Sequence, residues 1–215
     1  MMKGEKMSKS IGNVVDPIKL IEKYEADQLR YFLLRESRLE GDMDFSEHKL
    51  VKTVNGELCN QLGNLLSRAF TSKFLLPFSD VESEELKVDG SLIRDIKSIC
   101  QDCASFFDDY NFGAGLERLQ IILRNANSRF SNVQPWRLAS GETEPLRSIL
   151  GDVAFSCISY ALMASPVIPS ISERVFDIIG AKGMTLSNLF ESSSFEKLKI
   201  GGIRSSGPML RRLQL

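Results

Sequence analysis

Leu50, Val54, Leu58, Leu62, Leu65 and Ala69 recur every three or four residues, the spacing that lays one apolar stripe along one helix face. The stripe predicts a long helix capped by Ser46 and reaching about Lys73. Upstream, Asp16-Pro17 is a helix start, because Asp caps and Pro tolerates the first position. Helical segments are expected over 17–24 and 26–36, then a turn from Gly41 to Asp44. Residues 77–90 are polar and acidic with Pro and Gly, so they read as a surface connection. Ser91 opens a second bundle helix through Asp109, and Asn111-Phe112-Gly113 breaks it. A third, from about Ala114 to Phe130, buries Leu116, Leu119, Ile122, Leu123 and Ala126. A fourth, Thr143 to Ala164, turns Leu146, Leu150, Val153, Cys157 and Ala161 inward and stops at Pro166. Ser170 and Glu173 are spaced as a capping box for a last helix ending at Gly180. The remainder reads as irregular, with a short basic strand or two. The fold class is mainly α: a helical bundle preceded by a small mixed α/β connecting unit.

Composition narrows the options. In 215 residues, 43% are hydrophobic, enough for a packed core. No uninterrupted apolar run approaches the roughly 20 residues that span a bilayer, and the first residues carry neither an apolar signal region nor an amphipathic transit pattern. Net charge is −1, but Arg118, Arg124, Arg129 and Arg137 fall in a stretch without acids, and Lys197, Lys199, Arg204, Arg211 and Arg212 have no acid after Glu196. Such stripes suit phosphate, or form solvated faces balanced by acids elsewhere in space. Cys100 and Cys103 share helical spacing with Ile96, Ile99, Phe106 and Phe107, so core packing is the preferred reading over chemistry. There is no second Cys pair beside Cys100 and Cys103, since Cys59 and Cys157 stand apart, and only one histidine, so a four-ligand zinc site cannot be built from Cys and His alone, and no metal site is expected.

The densest chemistry is Lys6-Met7-Ser8-Lys9-Ser10 between Gly4 and Gly12. Ammonium groups are mobile charges for phosphate oxygens, hydroxyls donate to the same oxygens, and flanking glycines let backbone move close to a ligand. Followed by Ile11-Gly12-Asn13-Val14-Val15-Asp16-Pro17, the run resembles the second signature of class I aminoacyl-tRNA synthetases in the form found in methionyl-tRNA synthetases. Leu29 to Arg35 and Asp42 to Ser46 resemble the segment that joins that family's catalytic and anticodon-binding domains. Leu62-Gly63-Asn64-Leu65-Leu66-Ser67-Arg68 and Pro135-Trp136 resemble its anticodon readers, and the tail from Gly201 to Arg212 resembles the end of its core.

The resemblance implies a class Ia anticodon-binding bundle and three parts: residues 1–45 with the lysine loop and connecting unit, 46–190 as the bundle, and 191–215 as a tail packing back toward the connecting unit. Lys6 and Lys9 are the implied catalytic residues; Lys6, Met7, Ser8, Lys9 and Ser10 would bind ATP, with Mg2+ accompanying it. Asn64, Arg68, Pro135 and Trp136 would bind the anticodon. Asn64 and Arg68 are four apart on one helix side, and a lone tryptophan in a basic loop suits base stacking, although isolated pairs and single tryptophans more often serve only the surface or the core.

Two departures matter. The family's first signature, His-Ile-Gly-His, has no counterpart, since the only histidine is His48. The nucleotide-binding catalytic domain and methionine pocket are therefore expected to lie outside this chain, which would be the C-terminal portion of a methionine–tRNA ligase, inactive alone. A stand-alone, non-catalytic tRNA-binding module is the alternative; another class I synthetase fits Asn64, Arg68 and Trp136 less well. Methionine tRNA and ATP are the expected partners, with methionine bound through the missing domain, no membrane, and a monomeric state. The wording of residues 58–64 resembles organellar or bacterial relatives, so a mitochondrial matrix location is expected, with the cytoplasm as alternative. The second departure is Glu25, where related sequences usually have glycine; a left-handed backbone there would cost roughly 1 kcal/mol.

Overall fold

Asp16 Oδ1 accepts the Ile18 N–H at 2.9 Å, and Pro17 takes the first position of α1 (Pro17–Tyr24). Helix α2 (Ala26–Glu36) follows after one residue, and both bounds match the sequence reading. That joint is Glu25, at φ 63°, ψ 152°, backbone that favours glycine and is costly for any residue with a Cβ. This computed structural model describes residues 5–8, 10, 12–37, 41–75, 87–138, 143–190, 203–204 and 209–215. Among them the connecting unit contains no strand; Glu5 and Phe45 take part in isolated bridges, so its expected mixed α/β character reduces to helices with bridge contacts. The basic strands expected near the C-terminus fall largely on 191–202 and 205–208, outside the described residues.

The long helix starts at Ser46, whose Oγ accepts the Lys49 N–H at 3.5 Å. It is not uniform: α3 (Glu47–Thr53) passes into a π-helical segment (Val54–Gly63) and returns to α4 (Asn64–Ala69). Leu50, Val54, Leu58 and Leu62 are spaced strictly by four, wider than the 3.6-residue α repeat. Wider i→i+5 winding keeps them in register, and all four are fully buried. Phe70 ends the rod, and α5 (Ser72–Leu75) is a separate turn, so the helix expected to run unbroken to Lys73 is interrupted.

The bundle proper comprises α6 (Gly90–Asp108), α7 (Phe112–Val133), α8 (Thr143–Ala164), α9 (Pro169–Ile179) and a short α10 (Leu186–Phe190). Consecutive helices α6 to α9 pack pairwise. Asp89 caps α6 and Asn111 caps α7. Helix α8 is buried from Gly151 to Ala164. By length and composition it would cross a membrane, more apolar than the sequence reading allowed; a helix apolar all round and covered on every side is a core helix. All four cysteines are buried, and burial pushes the Cys100 and Cys103 thiols up to about 12, consistent with packing.

Helix α2 ties these layers together. Asp27 Oδ2 accepts the Ile171 N–H at 2.8 Å, capping α9 from a distant part of the chain. The expected capping box does not form: Pro169 opens α9 and Ile168 holds the cap position without a side-chain bond. Arg30 donates to the carbonyls of Val167 (2.9 Å) and Pro166 (2.6 Å). Tyr31 donates to Glu57 at 2.6 Å, Arg35 donates to the same oxygen at 3.1 Å, and Gln120 donates to Tyr31 and Tyr160. At the far end, the Gly113 Cα faces the Arg35 and Ser37 carbonyls; an added Cβ would sit 3.0 and 2.8 Å from those oxygens, so only glycine fits.

The arginine stretch divides. Arg118 pairs with Asp102 at 2.6 Å, and Arg129 with Asp152 (2.5 Å) and Asp89 (3.3 Å). Those two are balanced by acids from other turns and helices.

Two outcomes test this description. Glu25→Gly should relieve a strain of about 1–3 kcal/mol, of which the exposed 3.4 Å ion pair to Arg174 offsets less than about 1 kcal/mol. The melting temperature should rise by about 2–4 °C per kcal/mol; a lower value would mean the ion pair outweighs the strain. Asp89 is held down to about 2 by the Ser91 hydroxyl and N–H, then by Arg129. A depressed carboxyl stabilises above its unfolded value near 3.8 and loses that contribution as pH falls through about 2. The gap in melting temperature between the parent and Asp89→Ala should therefore be full at pH 6 and close between pH 4 and 2.

Candidate nucleic-acid interface and lysine loop

The two motif groups occupy different parts of the molecule. In the loop, Asn13 works as a clasp. Its Oδ1 accepts the Ser8 N–H at 2.7 Å and its Nδ2 donates to the Lys6 carbonyl at 3.2 Å. The Ser8 and Ser10 hydroxyls lie 2.7 Å apart, and the Gly12 N–H donates to the Ser8 carbonyl at 3.1 Å. Gly12 closes this turn at φ 73°, a left-handed value suited to glycine. Met7 is half-buried against the core, which anchors the loop, while Lys6 and Ser10 are exposed. Lys9 lies outside the described residues. An Lys/Ser loop held from one side with an exposed ammonium and hydroxyl can receive phosphate oxygens. Sequence reasoning treated Asn13 only as part of a signature; an Asx side chain after glycine, able to bond backbone groups across a turn, was the available signal.

The second group forms one patch from two distant segments. Asn64 opens α4 and is exposed; Arg68, one turn on, is half-buried beside the apolar Leu65, Leu66 and Ala69. Helix α7 ends at Val133, and Gln134 turns left-handed (φ 50°, ψ 57°), its N–H donating to the Phe130 carbonyl. Pro135, buried, then starts a 3₁₀ turn (Pro135–Arg137) that projects Trp136 outward. Trp136 is 44% exposed, so it is not a core anchor. Its ring centroid lies 6.2 Å from that of Phe130, which also meets Phe74 edge-on at 6.3 Å. The Arg68 guanidinium carbon sits 5.3 Å from the Phe130 ring centroid and 5.7 Å from that of Trp136. Each distance is within cation–π range.

Chains 68 residues apart in sequence thus present an amide, a guanidinium and an indole on one surface. Among the described residues Arg68 has no ion pair and the Asn64 side chain no hydrogen bond; Asn64 is exposed, and Arg68 is half-buried against the two rings. Arg137 is exposed in the same turn as Trp136. Phe130, which carries both Arg68 and Trp136, was missed; extending the α7 stripe one turn beyond Ala126 reaches it. An exposed amide, a half-exposed ring and a guanidinium beside it are what a base splayed from a single-stranded loop requires.

Residues 1–70 match the family described as tRNA synthetases class I (M). The chain is 33% identical over 215 residues to the methionine–tRNA ligase of Caldanaerobacter subterraneus subsp. tengcongensis, an alignment covering 98% of this chain and 33% of that protein. It is 31% identical over 219 residues to that of Bacillus subtilis, covering 100% and 33%. Among solved structures, Mycobacterium tuberculosis methionyl-tRNA synthetase bound by methionyl-adenylate superposes with a TM-score of 0.78 at 27% identity, covering 95% of this chain and 41% of that one. The chain spans about a third of the length of these curated relatives.

Removing the Asn13 clasp should free the loop without unfolding the bundle. Two hydrogen bonds at about 0.5–1.5 kcal/mol each imply that Asn13→Ala accelerates limited tryptic cleavage after Lys6 by roughly five- to hundredfold. Unchanged cleavage at that bond would show that something other than Asn13 holds the loop.

Proposed function

The chain belongs to the methionyl-tRNA synthetase family, and we propose that its 215 residues carry the lysine loop and the anticodon-binding bundle of a methionine–tRNA ligase. The observation that carries this reading is the Arg68 guanidinium set against Phe130 and a half-exposed Trp136, with Asn64 one turn away. Anticodon bases splayed from their loop would stack on Trp136, and the Asn64 amide and Arg68 guanidinium would bond their edges. Pro135 fixes the turn that presents the ring.

At the other end, ATP would place its phosphates over the loop. In the reaction the methionine carboxylate attacks the α-phosphorus, methionyl-adenylate forms and pyrophosphate, accompanied by Mg2+, leaves; the terminal adenosine of tRNA then takes the aminoacyl group. Lys6 and Lys9 would offset charge growing on the departing pyrophosphate, where a positioned cation acts most strongly. Ser8 and Ser10 would hold the phosphate-bound loop shape, with Met7 as its anchor in the core. Adenine and methionine would be held by parts of the enzyme beyond these residues, because the single histidine rules out a His-Ile-Gly-His signature within them. That observation also supports the second reading, a tRNA-binding module that performs no catalysis by itself.

The test is RNA binding by the 215-residue chain. A methionine tRNA transcript should bind, and Trp136→Ala should weaken it by about 1–3 kcal/mol for one lost stacked base, a roughly five- to hundredfold change. Asn64→Ala and Arg68→Ala should act in the same direction, and a tRNA with an altered anticodon should lose affinity for the parent and gain nothing from the variants. Because Trp136 is half-exposed, its replacement should leave the melting temperature within a few degrees. Equal affinity for both tRNAs would refute the anticodon reading.

A further inference from the structure

Helix α7 packs along the π-helical segment and meets α4 far less. Arg68 belongs to α4, whereas Phe130 and Trp136 belong to the end of α7 and the turn after it. The register between the two sides of the patch is therefore set one or two turns upstream, and the side chain placed there is Asn127. Its Nδ2 donates to the Gln61 carbonyl at 2.9 Å and to Gln61 Oε1 at 3.3 Å. A third bond, to the Leu123 carbonyl of its own helix at 2.9 Å, holds its rotamer. Two amide hydrogens thus serve three acceptors, the longest bond being shared. Asn127 stands one turn before Phe130, and Gln61 stands one and two turns before Asn64 and Arg68.

The place of this grip matters as much as its partners. Gln61 lies two residues before the π winding ends at Gly63, where the Asn64 N–H still donates to the Cys59 carbonyl five residues back. The two windings turn by different amounts per residue. The residue at which one gives way to the other therefore fixes the angle at which every later side chain leaves the rod. A main-chain carbonyl held from the neighbouring helix resists a shift of that boundary. Packing does not account for the residue used: asparagine is a poor choice for a helix interior, and an apolar side chain would fill the same space. The tolerance downstream is small. The Arg68 guanidinium lies 5.3 Å from the Phe130 ring and 5.7 Å from the Trp136 ring, against an outer limit of about 6 Å for such contacts.

We propose that Asn127 is a positioning residue for base selection: by fixing the end of the π-helical segment against α7, it holds Arg68 in register with Phe130 and Trp136. This rests on the anticodon reading of the patch and assigns a role to a residue outside it. Without the clamp, the rod and α7 still pack, but the guanidinium and the indole no longer meet one base at a fixed separation. Base selection then suffers more than folding does.

The experiment is a double-mutant cycle on the 215-residue chain, read by affinity for a methionine tRNA transcript and for the same transcript with an altered anticodon. Arg68→Ala, Asn127→Leu and the double variant complete the cycle; Asn127→Ala takes the place of the leucine variant if leucine is not accommodated. Asn127 and Arg68 have no partner in common, so independent action would give losses that add to within about twofold. Asn127→Leu should instead bind methionine tRNA at least about threefold more weakly and discriminate less between the transcripts, and Arg68→Ala should cost at least about threefold less in that background than in the parent. A second readout needs no RNA. Trp136 is the only tryptophan, so the indole band in near-ultraviolet circular dichroism reports the patch alone, and Asn127→Leu should change it in the direction that Arg68→Ala does. Additive losses, with or without a fall in melting temperature, or an indole band identical to the parent's, overturn the proposal and leave the anticodon reading standing. Equal affinity of the parent for the two transcripts overturns that reading and this proposal with it.

Discussion

Helix α2 sits between the N-terminal unit and the bundle through polar side chains, Asp27 and Tyr31 buried and Arg30 and Arg35 nearer the surface, that find partners in other parts of the chain. Asp27 at 5% exposure takes a backbone N–H of α9, Arg30 takes two carbonyls of the preceding turn, and Tyr31 with Arg35 takes Glu57. Burial, and then the charges of Tyr160 and Glu57, push the Tyr31 hydroxyl well above its usual range, so it remains a donor throughout ordinary pH. Such groups are expensive when unmatched and directional when matched. They set the orientation of α2 in a way that apolar packing, which tolerates sliding, does not. The close approach of Gly113 to the last carbonyls of α2 fixes the remaining end.

That constraint propagates to both candidate sites. Glu57 belongs to the π-helical segment, so the contacts of α2 bear on the rod whose continuation carries Asn64 and Arg68. Gln120, the buried link between Tyr31 and Tyr160, belongs to α7, whose last turn carries Phe130 and the Trp136 turn. The lysine loop enters α1 through Asp16 and Pro17, and α1 joins α2 across one strained residue. The loop proposed to hold ATP phosphates and the patch proposed to receive the anticodon are thus referred to a common frame.

The helices were readable where their signals are local. Helices α1, α2 and α8 have the predicted bounds because Asp16-Pro17, the break at Glu25 and the stop before Pro166 each act within a few residues. The π winding was written as a strict four-residue leucine spacing but was read as ordinary helix, since three-or-four spacing satisfies both. The α9 cap was misread because a nearby Ser–Glu pair looked sufficient, while the actual cap, Asp27, is 144 residues from its N–H. Likewise the arginine stretch looked uniformly basic until Asp89, Asp102 and Asp152 were brought beside it. The site residues Asn64, Arg68 and Trp136 were named from resemblance; that they share one patch, with Phe130 beneath, depends on packing that no local pattern encodes. Lys9 stays a sequence-level assignment.

The left-handed turn at Gln134 has a further consequence for how a base would be received. Backbone and side-chain freedom lost on forming a complex normally opposes association. Here that loss is largely incurred when the chain folds: the αL residue and Pro135 set the direction of the indole, and Phe130 and Arg68 limit its rotation from two sides. If a base stacks there as proposed, it would meet a ring whose direction is already set, so encounter rate and charge attraction, rather than rearrangement of the protein, would govern how fast the pair forms. The slow step would then lie with the nucleic acid, whose bases must leave their own stack.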